Sequence, residues 1–243
     1  MVMAQAQQTC SPLVIVLATA KEYKAALSPL GAPAAPEPGG NVIWRRGGRE
    51  HLVCVTGVGP VAAAASLGLA LGRLGPSVSG VVNLGLAGSF DFAAAPLGAL
   101  VAATAEAFPE YGLRAKAGVD TQGLGFPQLT LAGVPVYDHL PLAPEADAAA
   151  MGLALPESCV LETAVTVAGV SGEPDRAAIL SRKYKAATES MEGFAVAMAA
   201  SMAGVPFLEL RAVSNKVGSR PPEDWDLSGA LAALGRAADR LLS

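Results

Sequence analysis

This chain has no excess of positive charge: 17 lysines and arginines stand against 21 aspartates and glutamates, for a formal charge of −4. A phosphate backbone would meet no cationic face, which speaks against nucleic acid as a partner. Cysteine is scarce, with Cys10, Cys54 and Cys159 far apart and no CxxC pair. An odd, dispersed set argues against a disulfide framework or a zinc cluster and fits a reducing cytoplasm. With only two histidines, His51 and His139, a histidine-built metal site is not expected. Neither GxGxxG nor a P-loop occurs, so no nucleotide cofactor is supported and none is expected. Long apolar runs are missing too. The longest, "GFAVAMAASMAGVPFLEL", has 18 residues and includes Ser201, Glu209 and the helix breaker Pro206, so no membrane span is expected. No basic stretch precedes "LVIVLA", which reads as a first strand rather than as a signal peptide.

What the chain does have is aliphatic bulk in small units, 52% hydrophobic but only 5% aromatic, which suits close helix–sheet packing. Strand and helix alternate. "LVIVLA" (13–18) is a buried strand, and a helix follows from Lys21 to about Leu27. "NVIWRR" and "HLVCVTG" form a β-hairpin through "GGRE". "GVGPVAAAASLGLALGRLG" opens on a glycine turn, with Pro60 in the first turn of an Ala-rich helix. "VSGVVNLGLAG" is the next strand, residues 97–140 read as short strands and loops, and "ETAVTVAGV" precedes the helix "EPDRAAILSRKY". An almost wholly apolar helix runs from about Met191 to Ala203, and "VPFLELRAVSN" is a strand. The final helix places Leu227, Leu231, Leu234, Ala238 and Leu241 on one stripe, with Asp226 as N-cap. No repeat or linker divides the chain. The expectation is a flexible segment over 1–12 and one α/β domain over 13–243 with a mixed, largely buried central sheet. The small-residue face of the helix over 60–74 adds the expectation of a homo-oligomer.

Four strand ends carry unusual residues, and strand carboxyl ends are where ligands sit in α/β folds. Glu22 falls in the opening turn of the first helix, where the helix dipole by itself favours an acid. The glycines of "GVGPVAA" and "NLGLAGS" let backbone N–H groups approach a ligand closely. In "TESMEGFAVAMAA", Glu192 stands at the mouth of an apolar helix, where a carboxylate is costly unless it bonds backbone amides or ligand hydroxyls. Glu189 reads as a helix cap. Asn215 ends the last strand; it is either a turn residue or an amide presented to a ligand.

Taken in this order, "NLGLAGS", "SMEGFAVA" and "RAVSN" resemble the nucleoside phosphorylase and nucleosidase superfamily, from residue 13 to about 240. The resemblance implies a twisted mixed sheet, partly closed like a barrel and flanked by helices, and cleavage of a ribosyl N-glycosidic bond. The "AT…E" opening, "ESMEG", the asparagine of "RAVSN" and the "R…W" of "SRPPEDW" look like the futalosine hydrolases. That likeness implies a menaquinone-pathway reaction releasing hypoxanthine. It also implies roles: Glu22 activates the attacking water, and backbone around Ala87 and Gly88 lines the sugar. Met191 packs on the ribose, Glu192 binds its hydroxyls and Asn215 meets the purine. Two departures stand out. "AKE" replaces the "EEE" of adenosine-type nucleosidases, leaving Glu22 alone as base, and "VTVAGVSG" lacks the expected base-stacking aromatic. Phe126 in "GLGFPQL" is the candidate wall, with Phe90 and Phe92 as other choices. His139 reads as a solvated loop residue, or as a contact for a carboxylated end of the substrate.

The chemistry agrees with these roles. Breaking a ribose–purine bond builds oxocarbenium character on the sugar and negative charge on the departing base, as in other glycoside hydrolysis. Two carboxylates therefore suit the sugar side, one as base and one as anchor. A 6-oxopurine protonated at N7 shows one donor and one acceptor, which an amide matches with its C=O and NH₂. An amide also pairs with unprotonated adenine, so a methylthioadenosine or S-adenosylhomocysteine nucleosidase stays open. The glycine turns carry no arginine, and Arg45 and Arg46 fall on the hairpin, which favours hydrolysis over a 6-oxopurine phosphorylase. The presence of both Glu22 and Glu192 argues against a non-catalytic nucleoside-binding protein.

Overall fold

The computed structural model describes residues 11–116 and 118–243. Its first half holds β1 (Leu13–Leu17), α1 (Ala20–Ala26), β2 (Gly40–Arg46), β3 (Arg49–Val55), α2 (Pro60–Leu74), β4 (Gly80–Ser89) and β5 (Leu100–Ala107). Two small hairpins follow, β6 (Leu113–Ala115) with β7 (Gly118–Asp120) and β8 (Leu129–Leu131) with β9 (Val134–Val136). Then come β10 (His139–Pro141), α3 (Pro144–Ala150), β11 (Cys159–Thr166) and α4 (Pro174–Tyr184). The chain ends with β12 (Thr188–Ser190), α5 (Gly193–Ala203), β13 (Phe207–Lys216) and α6 (Leu227–Leu241).

β1 is buried along its whole length and pairs in parallel with β3 on one side and β4 on the other. A strand covered on both faces needs no alternation, which is why "LVIVL" is unbroken. β4 is the pivot of the sheet. Beyond β1 it pairs antiparallel with β12 and parallel with β13. β12 pairs with β11, β11 with β5, and β5 with β13. β4–β12–β11–β5–β13 thus closes on itself as a five-stranded mixed barrel, from which β1, β3 and β2 extend on one side and β10 on the other. This is the partly closed α/β sheet expected above. β5 departs from the short strands read over 97–140: it is eight residues long and a full barrel stave.

Other differences are local. The β2–β3 turn is Gly47–Gly48 alone, at φ 59° and 78°. Two positive-φ residues give the tight turn that matches strand twist, so Arg49 and Glu50 belong to β3 rather than to the loop. On α6, Leu227 is exposed and the buried face is Ala230, Ala233, Leu234, Ala237, Ala238 and Leu241. The reason is close approach: a Cβ on Gly235 would meet the Ala25 carbonyl of α1 at 2.7 Å, so alanines fill most of this seam. Leu234 and Leu241 anchor it, each worth about 1.5–3 kcal/mol when buried. Asp226 caps α6 as expected, accepting from Gly229 N at 2.8 Å. Of the segment over 1–12 expected to be flexible, residues 1–10 lie outside the described residues, while the Pro12 carbonyl accepts the Ser79 N–H at 3.0 Å. No helix among the described residues is long and apolar enough to cross a membrane.

His51 gives the fold a pH dependence. It is buried on β3 against Trp44 (ring centroids 5.2 Å apart), and its Nδ1 has no hydrogen-bond partner. Burial first, then the charges of Arg49 and Arg46, lower its pKa from 6.5 to about 4. Between those values the unfolded chain holds a proton that the folded chain refuses, so stability rises with pH. As pH falls from 6.5 to 4, His51 is expected to remove about 3 kcal/mol. Urea titrations at several pH values check this: the stability difference between wild type and His51→Phe should grow in favour of the wild type as pH rises from 4 to 6.5.

Candidate active site

The carboxyl ends of β1, β3, β4, β12 and β13 bring the candidate residues to one region. Thr19, just past β1, is the N-cap of α1 and forms a capping box with Glu22. Glu22 Oε2 accepts from Thr19 N at 2.9 Å and Thr19 Oγ1 at 2.7 Å, while Oε1 accepts from Leu86 N of β4 at 3.0 Å. Glu22 is therefore a helix cap, buried and fixed in orientation, and one acceptor position remains on Oε1. The acid that the helix dipole favours thus also belongs to the capping box of α1.

Glu192 occupies the N-cap position of α5 and is 5% exposed. Its Oε1 accepts from Gly59 N at 3.0 Å, and its Oε2 pairs with Arg211 Nη1 at 3.3 Å. Gly59 is the N-cap of α2, at φ 98°, so a glycine expected to face a ligand instead donates to this carboxylate. Burial raises the Glu192 pKa, with Arg211 and the Gly59 N–H opposing that rise. Arg211 is itself buried on β13 and donates from Nε to Glu209 Oε1 at 2.6 Å. Burial works against its charge, but Glu209, Glu192 and Glu22 outweigh it and raise its pKa. Arg211 Nη1 and Glu22 Oε1 also converge where a side chain on Gly85 would begin, which leaves no room there for a Cβ.

Asn215 lies a short step away. β13 carries a bulge between Val213 and Asn215, and the residue opposite Asn215 on β4 is Gly88, two positions beyond Leu86. An extra residue at a strand end re-aims the side chain that follows. Asn215 Oδ1 accepts from Ser214 Oγ at 2.9 Å and Nδ2 donates to the Lys216 carbonyl at 3.2 Å. One lone pair and one hydrogen of the amide remain free. The side chain lines a cavity of about 230 Å³ together with Gly88, Glu189, Arg220 and Trp225.

Ala87 is buried on β4 and Met191, next in the chain to Glu192, is half-buried; of the predicted residues only Gly88 and Asn215 line that cavity, while Glu22 and Glu192 meet around Arg211. Phe126 is not among them. It is 73% exposed in the loop before β8 and does not line that cavity. Phe90 and Phe92 pack into separate apolar clusters. The aromatic that borders the cavity is Trp225, visible in the sequence as the tryptophan of "SRPPEDW" but not assigned there as a wall. His139 is exposed on β10. Glu189 is not a helix cap: it accepts the Ser171 N–H at 2.8 Å and the Ser171 hydroxyl at 2.5 Å, tying down the loop after β11. Arg45 pairs with Glu50 at 2.7 Å, and Arg46 bonds the carbonyls of Leu30 and Leu242, so neither lies at the glutamates. Sequence reasoning missed Arg211 as the partner of Glu192, and missed Glu106, Glu209 and Thr166 behind it. An acid inside an apolar strand, as in "VPFLEL" and "AATAEAF", was the available signal.

The closed mixed barrel flanked by helices is an α/β fold of the nucleoside phosphorylase kind. The sequence profile of the Phosphorylase superfamily matches residues 12–243. Futalosine hydrolase of Streptomyces coelicolor is 40% identical over 191 residues, covering 76% of this chain and 75% of that one. Futalosine hydrolase of Thermus thermophilus is 35% identical, covering 85% of this chain and 88% of that one. Among solved structures, Helicobacter pylori futalosine hydrolase superposes with a TM-score of 0.72 at 17% identity over 96% of both chains. The 5'-methylthioadenosine/S-adenosylhomocysteine nucleosidase of the same organism gives 0.73 at 19% identity, also over 96% of both. The chain belongs to the phosphorylase superfamily and, within it, to the futalosine hydrolase family.

Proposed function

We propose that this chain hydrolyses the N-ribosidic bond of futalosine, releasing hypoxanthine, as a cytoplasmic step of menaquinone biosynthesis. The observation that carries the substrate class is Asn215, which lines a cavity and whose amide keeps one lone pair and one N–H unpaired among the described residues. A 6-oxopurine leaving with a proton on N7 offers the complementary donor and acceptor, N7–H and O6. Glu22 holds the attacking water on its remaining acceptor site. Glu192 anchors the ribose hydroxyls, through hydrogen bonds that tighten as the oxocarbenium develops and so contribute selectively to rate. The β4 backbone at Ala87 and Gly88 lines the sugar, Met191 packs on it, and Trp225 walls the base. Asn215 is no acid, so the proton for N7 comes from water. The glycine turns "GVGPVAA" and "NLGLAGS" carry no arginine, which supports water rather than phosphate as the nucleophile. The exposed apolar residues Val61 and Leu69 of α2 and Met202 of α5 support assembly of the chain into a homo-oligomer.

Base release in phosphate-free buffer tests the reading, with futalosine, inosine and methylthioadenosine compared side by side. The expected result is hypoxanthine from futalosine at a kcat/KM well above that for either other nucleoside. A phosphate requirement would make the enzyme a phosphorylase, and preferred release of adenine would make it an adenosine-type nucleosidase.

A further inference from the structure

Behind Glu192 lie two more carboxyl groups that the proposed reaction does not use. Glu106, near the end of β5, is fully buried, and Glu209 on β13 is 1% exposed. Each has one oxygen in use. Glu106 Oε2 accepts from Thr166 Oγ1 at 2.7 Å, and Glu209 Oε1 accepts from Arg211 Nε at 2.6 Å and Asn83 Nδ2 at 3.4 Å. The other two oxygens, Glu106 Oε1 and Glu209 Oε2, have no donor. Both crowd the point where a side chain on Gly193 would begin, so they stand close to each other across that glycine. Leaving two buried acceptors unsatisfied is costly, whereas a single proton between them satisfies both.

The neighbours decide where that proton resides. Thr166 Oγ1 accepts the Phe194 N–H at 2.7 Å, so its own hydrogen is directed to Glu106 Oε2. Glu209 has the Arg211 guanidinium in contact and Glu106 has no such cation, so Glu209 keeps the charge. Burial, followed by the charge of Glu209 and a hydrogen bond with it, raises the Glu106 pKa well above the ordinary 4.5 against the pull of Thr166 and Arg211. The charged groups gathered here are Glu209 and Arg211 from β13, Glu192 at the start of α5 and Glu22 from α1. With Glu106 neutral, three carboxylates surround one guanidinium instead of four.

We propose that Glu106 and Glu209 share one proton at neutral pH and, by fixing Arg211, position Glu192 for the sugar. They are positioning residues: the order is neutral Glu106 to Glu209 carboxylate, to Arg211, to Glu192. The same geometry explains the glycine that follows Glu192, since any side chain at 193 would displace both carboxyls. The role for Glu192 rests on the nucleosidase reading given above.

E106Q tests it, because an amide gives Glu209 the same donor and Thr166 the same acceptor. Its kcat should stay within a few-fold of wild type, while E106L and E209Q lose on the order of 100-fold in kcat with much smaller changes in KM. Infrared spectra of the wild type at pH 7 should show the carbonyl band of a neutral carboxylic acid, and E106Q should lack it. Stability carries the same signature. Above pH 4.5 the folded chain keeps a Glu106 proton that the unfolded chain loses, so Glu106 contributes a fall in stability as pH rises, opposed by His51 up to pH 6.5 and unopposed by it above that; E106Q removes this contribution. The infrared and stability readouts need no substrate and therefore test the shared proton alone, whereas failure to release base from any nucleoside tells against the proposed reaction. Absence of the neutral-acid band, loss of activity in E106Q equal to that in E106L, or full kcat in E209Q overturns the proposal.

Discussion

Glu192→Gln is expected to lower kcat/KM for nucleoside hydrolysis by about 100-fold or more while the circular dichroism spectrum stays that of the wild type. Glu192 receives one donor on each oxygen, the Gly59 N–H and Arg211 Nη1. An amide has one acceptor end, so either orientation sets its NH₂ against one of those donors. The substituted residue must turn away from its pocket, and the charge-assisted hydrogen bonds to the ribose hydroxyls are lost as well. Each such bond to a charged group is worth about 1.5–3 kcal/mol. Turnover equal to wild type would remove Glu192 from the mechanism.

The same residue sets the acid side of the pH profile. Burial raises its pKa above 4.5, and the anchor works as the anion, so kcat/KM should fall on acidification at a pH above the ordinary carboxylate range. This limb belongs to Glu192 and is expected to vanish in E192Q.

The lattice of strands was legible because burial on both faces writes itself as unbroken apolar runs. β1 is of this kind, and β1, β4 and β13 each end within one residue of the position read from the sequence. The superfamily was legible through three segments that recur in order. What the sequence hid is pairing at a distance. Gly59 and Glu192 are 133 positions apart, yet one donates to the other. β12, only three residues long, closes the barrel and carries no periodicity of its own. Glu189 and Glu192 are near-identical as sequence signals, but Glu189 tethers a loop while Glu192 meets Arg211. Nothing in local propensity separates those outcomes. Trp225 was likewise visible as a residue and invisible as a wall, because its place beside Asn215 depends on an isolated bridge between the two.

In the proposed reaction Asn215 is the residue on which base preference turns, and Asn215→Asp is expected to reverse it. Ser214 would still donate to one carboxylate oxygen, so the side chain keeps its anchor. The second oxygen now occupies the place of Nδ2, 3.2 Å from the Lys216 carbonyl, and like polarity turns it toward the cavity. Two acceptors then face the base. Hypoxanthine presents O6 to one of them, an unpaired repulsive contact that should cost about 1–3 kcal/mol, or roughly 5- to 150-fold in kcat/KM. Adenine protonated at N7 presents two donors, N7–H and its 6-amino group, and gains where hypoxanthine loses. The ratio of adenine-bearing to hypoxanthine-bearing nucleoside turnover should therefore rise by more than the loss on the hypoxanthine-bearing substrate alone. Asn215→Ala is the control, lowering both without shifting the ratio. If Asn215→Asp leaves that ratio where it was, the amide serves only the turn, and the discrimination between purines must come from the other groups lining the cavity.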